Sequence, residues 1–106
     1  MATNYIYLIC MGNTNIYKIG VSNVPQERMQ ALQTANPYKL HMSHVFSADK
    51  PHVAESILHR MLAAQRMEGE WFRLTSQQRD KLFMIDVFRD GHFWLGKRQM
   101  KLEQVF

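Results

Sequence analysis

Thiols are nearly absent from this 106-residue chain: Cys10 is its single cysteine. No internal disulfide can form, so stability must come from a packed core. Cys10 itself, inside an apolar run, reads as a buried thiol in a reducing, cytoplasmic setting. Long apolar stretches are also missing, and the first residues lack the basic-then-apolar layout of a signal peptide. A soluble intracellular protein with no membrane partner is therefore expected. There are no repeats, linkers or low-complexity segments to divide the chain. Acidic residues are in the minority, 9 against 13 Lys and Arg. The resulting charge of +4 tilts the choice of partner towards an anion such as nucleic acid. Hydrophobic residues at 46% and charged ones at 21% suit one folded domain with one modest core.

What is present begins with Tyr5-Ile6-Tyr7-Leu8-Ile9-Cys10, an aromatic and β-branched run that predicts a strand. A second strand follows over 16–21. Gly12-Asn13 between them accept positive φ and predict a tight turn. With those two as the central turn residues, Met11 pairs with Thr14 and Tyr7 lies across from Lys18 on one sheet face. Ser22 or Asn23 caps a helix that opens with Pro25 and runs to about residue 34, Met29 and Leu32 facing inward. Asn36-Pro37-Tyr38 breaks it. A third strand is predicted over 40–46, with Leu40, Met42, His44 and Phe46 on one face. A second helix is predicted over 52–66 with Val53, Ile57, Leu58 and Met61 as its apolar stripe. Glu70 to Leu74 is short and aromatic. Thr75-x-x-Gln78 is a capping box for a third helix reaching about residue 89, with Gly91 as its C-terminal cap. The order is β-β-α-β-α-(β)-α. It corresponds to an α/β (α+β) fold whose small, mainly antiparallel three-stranded sheet carries flanking helices. Residues 1–91 make the domain. Residues 92–106 make an aromatic and basic tail packed on it or extending it.

Four polar residues fall on four different elements: Tyr7, Lys18, Arg28 and Glu55. Phosphodiester cleavage needs a group for the proton of attacking water, a cation for charge on phosphate and a carboxylate for a divalent metal. Each residue also has an ordinary explanation, as a strand tyrosine, a solvated lysine, a helix-surface arginine and a first-turn glutamate. His52, Glu55 and His59 share a helix face, but a closed zinc site needs further ligands. The scattered methionines read as core filling.

The chain resembles the GIY-YIG nuclease superfamily, and is most similar to its small stand-alone phage and bacterial branch. Tyr5-Ile6-Tyr7 stands where the family has Gly-Ile-Tyr, and Lys18-Ile19-Gly20-Val21-Ser22 where many members have Tyr-Ile-Gly-x-Ser. Arg28 follows at the spacing of the helix arginine. Ala54-Glu55 with Leu58-His59 is similar to the segment of the metal-binding glutamate, and Gly69-Glu70-Trp71-Phe72 to a GEWF signature of that branch. Lys18 replaces the second tyrosine, Tyr5 replaces the first glycine, and Glu70 or Trp71 falls near the family asparagine. The resemblance implies an endonuclease hydrolysing DNA with Mg²⁺ or Mn²⁺. Its catalytic residues would be Tyr7, Lys18, Arg28 and Glu55, with Glu55 the metal ligand and Lys18 lowering the pKa of Tyr7. Tyr17, Gly20, Ser22, His59 and Trp71 would contact nucleic acid. Two alternatives stay open. One is a DNA-binding module of the same fold without efficient cleavage. The other is a small phage-type regulator that meets a protein partner through Phe93, Trp94 and Leu95.

Overall fold

In the computed structural model, which describes residues 4–100, the central strand is β1 (Asn4–Met11). Its residues from Ile6 to Cys10 are all buried, as a strand with neighbours on both edges and helices on both faces requires. β2 (Ile16–Ser22) returns antiparallel beside it, followed by α1 (Pro25–Gln33), β3 (Leu40–Ala48) and α2 (Pro51–Met61). After a 3₁₀ turn at Ala63–Gln65 come β4 (Trp71–Arg73), α3 (Ser76–Phe83), β5 (Val87–Arg89), β6 (His92–Leu95) and β7 (Arg98–Gln99). The strands form one sheet in the order β4-β2-β1-β3-β5-β6-β7. Only β3 and β5 pair in parallel.

The sheet has seven strands where three were expected. Its extension comes from the C-terminal third. α3 begins at the expected capping box, with Thr75 and Gln78 exchanging side-chain to backbone bonds, but it ends at Phe83. Asp90 and Gly91 both have positive φ, 54° and 78°, between the paired residues Arg89 and His92. Two such central residues match the twist of a hairpin, so Gly91 turns a strand and does not cap a helix. The expected tail is therefore sheet as far as Gln99. Phe93 is buried in the core, and Trp94 lies under the Arg89 guanidinium with its Nε1–H donated to the Arg89 carbonyl. Lys101 and the rest of 101–106 lie outside the described residues.

Two apolar layers flank the sheet. On one face Ala54, Leu58 and Leu62 pack with Ile6, Leu8, Ile19, Phe46 and Phe72. On the other, Met29 and Leu32 pack with Tyr7, Ile9, Leu40 and Met42. The stripe of α2 is thus rotated from the expected one, and Val53 is exposed. β3 does not keep one face either. Leu8 pairs with His44 but Ile9 with Met42, so Ser43 is an extra residue in the ladder. This bulge reverses the alternation. Leu40 and Met42 face α1, whereas Phe46 faces α2, and the His44 ring lies beside Phe46 and Phe83.

Candidate functional site

The hairpin register decides what lies beside Tyr7. Met11 and Ile16 flank a wider loop than a two-residue turn, held by Thr14 Oγ1, which donates to the Met11 carbonyl and accepts from the Ile16 N–H. Tyr7 consequently pairs with Gly20, and Lys18 with Ile9. The expected Tyr7–Lys18 pairing is wrong by two residues. The phenol lies over Gly20, where an added Cβ would meet Oη and stand 2.6 Å from Cζ. The glycine makes room for the tyrosine ring on its open side. Burial pushes the phenol above its ordinary pKa of 10.0; the neighbouring Arg28 guanidinium offsets part of this, and Glu70 and Glu55 add to it. The cation that acts most strongly on the phenol is Arg28, an exposed residue of α1. Gly20→Ala is expected to overpack this contact and cost about 1–3 kcal/mol. Its melting temperature should fall by several degrees, and any activity that depends on Tyr7 should fall with it. An unchanged melt would show that the ring moves aside freely.

β4 is short, and this opens the sheet edge next to the tyrosine. Its last pair with β2 is Lys18 with Trp71, and the Ile19 N–H donates to the Glu70 carbonyl at 3.2 Å. Beyond that point β2 has no strand neighbour on its outer edge among the described residues. The Ile19 carbonyl accepts instead from His59 Nε2–H of α2, at 2.9 Å. α2 therefore reaches the edge from the opposite face of the sheet. Glu55, one turn before His59, shares its side of the helix. Burial first, then the negative charge of Glu70, pushes the Glu55 carboxyl up; His59, His52 and Lys18 oppose the shift. Arg28, Glu70 and Glu55 thus act on the Tyr7 phenol, and Glu70 acts on Glu55, beside an uncovered strand edge.

Lys18 is buried to 8% exposure. Its Nζ lies 3.3 Å from Glu70 Oε2 and 5.6 Å from the centre of the Trp71 ring. A buried ammonium without a partner is costly, and this one is neutralised by the residue that precedes β4. Glu70 was not singled out in the sequence as a site residue. The signal that could have found it is the burial of Lys18: a lysine inside an apolar strand demands an acid, and Glu70 opens the strand that pairs with it. Lys18→Met should destabilise the fold by about 1–2 kcal/mol, less than a fully buried pair, because solvent screens the partly exposed carboxylate. Lys18→Met combined with Glu70→Gln should recover most of that loss. Additive melting shifts in the double variant would rule out the coupling.

The expected nucleic-acid contacts are dispersed. Tyr17 is 5% exposed and packs edge-on to Phe83 at 6.1 Å, on the sheet face away from Tyr7, so its place is the core. Ser22 is half-buried, and its Oγ accepts from the Val24 N–H at 3.0 Å, shaping the entry to α1. The His59 ring lies 5.0 Å from Phe72 with Nε2 committed to Ile19. Trp71 is half-buried, packed on the Tyr7 side of the sheet beside Lys18. Among the described residues no three His, Cys, Asp or Glu side chains gather as a ready metal cage, and no helix is long and apolar enough to cross a membrane.

A family model described as the T5orf172 domain matches residues 4–85, a span from β1 to the residues just after α3 that includes every residue of the site. No curated protein and no solved structure matches the chain.

Proposed function

The chain belongs to the T5orf172 domain family, and on that premise we propose that it is a metal-dependent endonuclease of the GIY-YIG type, hydrolysing phosphodiester bonds in DNA. The observation that supports this reading is the packing of the Tyr7 phenol over Gly20, beside the open edge of β2 where the Lys18–Glu70 ion pair sits, with the charges of Arg28, Glu70 and Glu55 acting on that phenol. A lone buried tyrosine or a lone half-buried glutamate has a structural explanation. Ionisable groups from two helices, two strands and the turn before a third that act on one another are more characteristic of a reactive site.

In this reading the exposed Arg28 guanidinium binds the scissile phosphate, its planar fork matched to two phosphate oxygens. It also offsets the charge that develops as water adds to phosphorus and the bond to the leaving oxygen breaks. The attacking water must lose a proton, and the Tyr7 oxygen, in its ionised form, takes it. Glu55 would hold Mg²⁺ or Mn²⁺. The fit rests on donor chemistry: a hard carboxylate oxygen suits these ions, and the repulsion between Glu55 and Glu70 is the kind that a divalent charge relieves. Such an ion supplies positive charge against the phosphate oxygens when bound. Lys18 has the role of holding Glu70, and through it the potential around Glu55.

The test is cleavage of end-labelled DNA, single-stranded, duplex, nicked and branched, in Mg²⁺, in Mn²⁺ and in EDTA. Divalent-dependent products are expected, lost in the Arg28→Ala variant. Salt-dependent binding with no product in either metal would replace the nuclease by a DNA-binding module of the same fold. The neutralised Lys18 and the raised pKa of Tyr7 are the two observations that favour that second reading.

A further inference from the structure

Next to the site, on the α1 face of the sheet, is an apolar recess of about 270 Å³ lined by Tyr5, Asn23, Val24, Pro25, Gln26 and Val45. We infer that this recess receives one unstacked nucleobase of the bound DNA strand, with Tyr5 as its stacking surface. The inference rests on the nuclease reading above and adds to it a substrate class: a strand whose base beside the scissile phosphate is unpaired or readily flipped out.

Four features carry it. First, the recess continues the site. Tyr5 lies two residues before Tyr7 and projects from the same face. Val45 is the cross-strand partner of Tyr7, so the wall of the recess touches the residue proposed to act on water. Second, its chemistry is that of a base pocket. Its lining is almost wholly apolar, so aromatic and aliphatic walls offer a flat contact that a base can cover by stacking, whatever its identity. Third, its size selects. It falls below the range of pockets that enclose drug-sized ligands, and suits a single ring system whose sugar and phosphate stay outside. Fourth, the charge is complementary: Arg28 lies one helical turn beyond Pro25, so a phosphate held there belongs to the same nucleotide neighbourhood as a base in the recess. Val24 and Val45 are 41% and 37% exposed. Apolar surface of this kind, gathered around a tyrosine, is what base stacking covers.

The experiment measures binding of a single-stranded oligonucleotide in EDTA, so that no strand is cut, and of the same oligonucleotide with one abasic position moved along it. Tyr5→Ala should weaken binding of the intact strand by about five- to a hundredfold without changing its salt dependence. One abasic position should cost wild type a comparable factor and cost Tyr5→Ala little. Val45→Thr keeps the β-branched shape at an exposed position, so it folds even if Tyr5→Ala does not; it should show the same pattern more weakly. Arg28→Ala provides the contrast, lowering the salt dependence by about one phosphate contact. If Arg28→Ala behaves so but the folded Tyr5 and Val45 variants bind intact and abasic strands as wild type does, the recess is not a base site and the nuclease reading stands. If wild type binds no DNA, both fall together.

Discussion

Glu55→Gln should abolish divalent-dependent cleavage and, at neutral pH, make the protein more stable. The two effects have one cause. Burial and the Glu70 charge raise the pKa of the Glu55 carboxyl, so the folded state holds the proton more tightly than the unfolded chain does. A raised pKa of this sign contributes stability that is present below the ordinary carboxylate value of 4.5 and is lost as pH rises through the folded value. At pH 7 the carboxylate is ionised against its surroundings, and the neutral amide removes that cost. Because Glu55 is partly exposed, the gain is modest. A rise in melting temperature of about 1–4 °C corresponds to a fraction of a kcal/mol in a domain of this size. Calorimetry from pH 3 to 8 should show the difference at pH 7 and its loss below pH 4. Mg²⁺ should raise the melting temperature of wild type and leave that of Glu55→Gln unchanged. Cleavage should fall by about a thousandfold or more, as the loss of several kcal/mol of charge stabilisation requires. A variant that melts below wild type at pH 7 would instead make Glu55 a structural residue.

The sheet faces that carry Tyr7 and Lys18 were more legible in the sequence than the pairing and order of the strands, because the two depend on different signals. Tyr7 and Lys18 were expected as direct partners across a tight turn, and Thr14 makes that turn wider. The error is two residues, and the side-chain period of a strand is also two. Both residues therefore stay on the expected face although their partners change. β3 shows the opposite case. One bulged residue, Ser43, exchanges the faces of everything before it, and nothing in Leu40 to Phe46 announces a bulge. In the C-terminal third the signal was available: Asp90-Gly91 is a strong hairpin dipeptide, and the helical pattern after Thr75 outweighed it. Lys18 shows where sequence reading loses electrostatics. Its charge suggested an action on Tyr7, but its burial inside an apolar strand binds it to Glu70, and which acid answers it depends on the pairing of β2 with β4. The cation beside the phenol comes from Arg28, whose helix the sequence did predict.

That exchange of cations sets the expected pH dependence. If Lys18 held the phenol as phenolate, cleavage would level off near neutral pH. Burial instead keeps Tyr7 protonated there, above its ordinary pKa of 10.0, with Arg28 offsetting only part of the shift. A general base that is mostly protonated acts through its ionised fraction, which rises tenfold per pH unit below the pKa. The single-turnover rate at saturating Mg²⁺ should therefore climb with a slope near one from pH 6.5 to 9.5, without a plateau. Tyr7→Phe should be slower by about 10²–10⁴-fold and should flatten the profile. The variant should still bind DNA, because the proposed phosphate contact is that of Arg28. Its fold should survive as well, since phenylalanine keeps the ring that fills the space over Gly20. Lys18→Met separates the two electrostatic schemes. An ammonium acting on Tyr7 would, when removed, move the profile to higher pH. An ammonium that only neutralises Glu70 would, when removed, leave the slope in place and lower the Mg²⁺ concentration needed for half-maximal rate, because the uncompensated Glu70 and Glu55 charges then attract the divalent ion more strongly. The arrangement of Lys18, Glu70 and Glu55 leads to the second result. A plateau near pH 7 that Lys18→Met removes would restore lysine to the phenol.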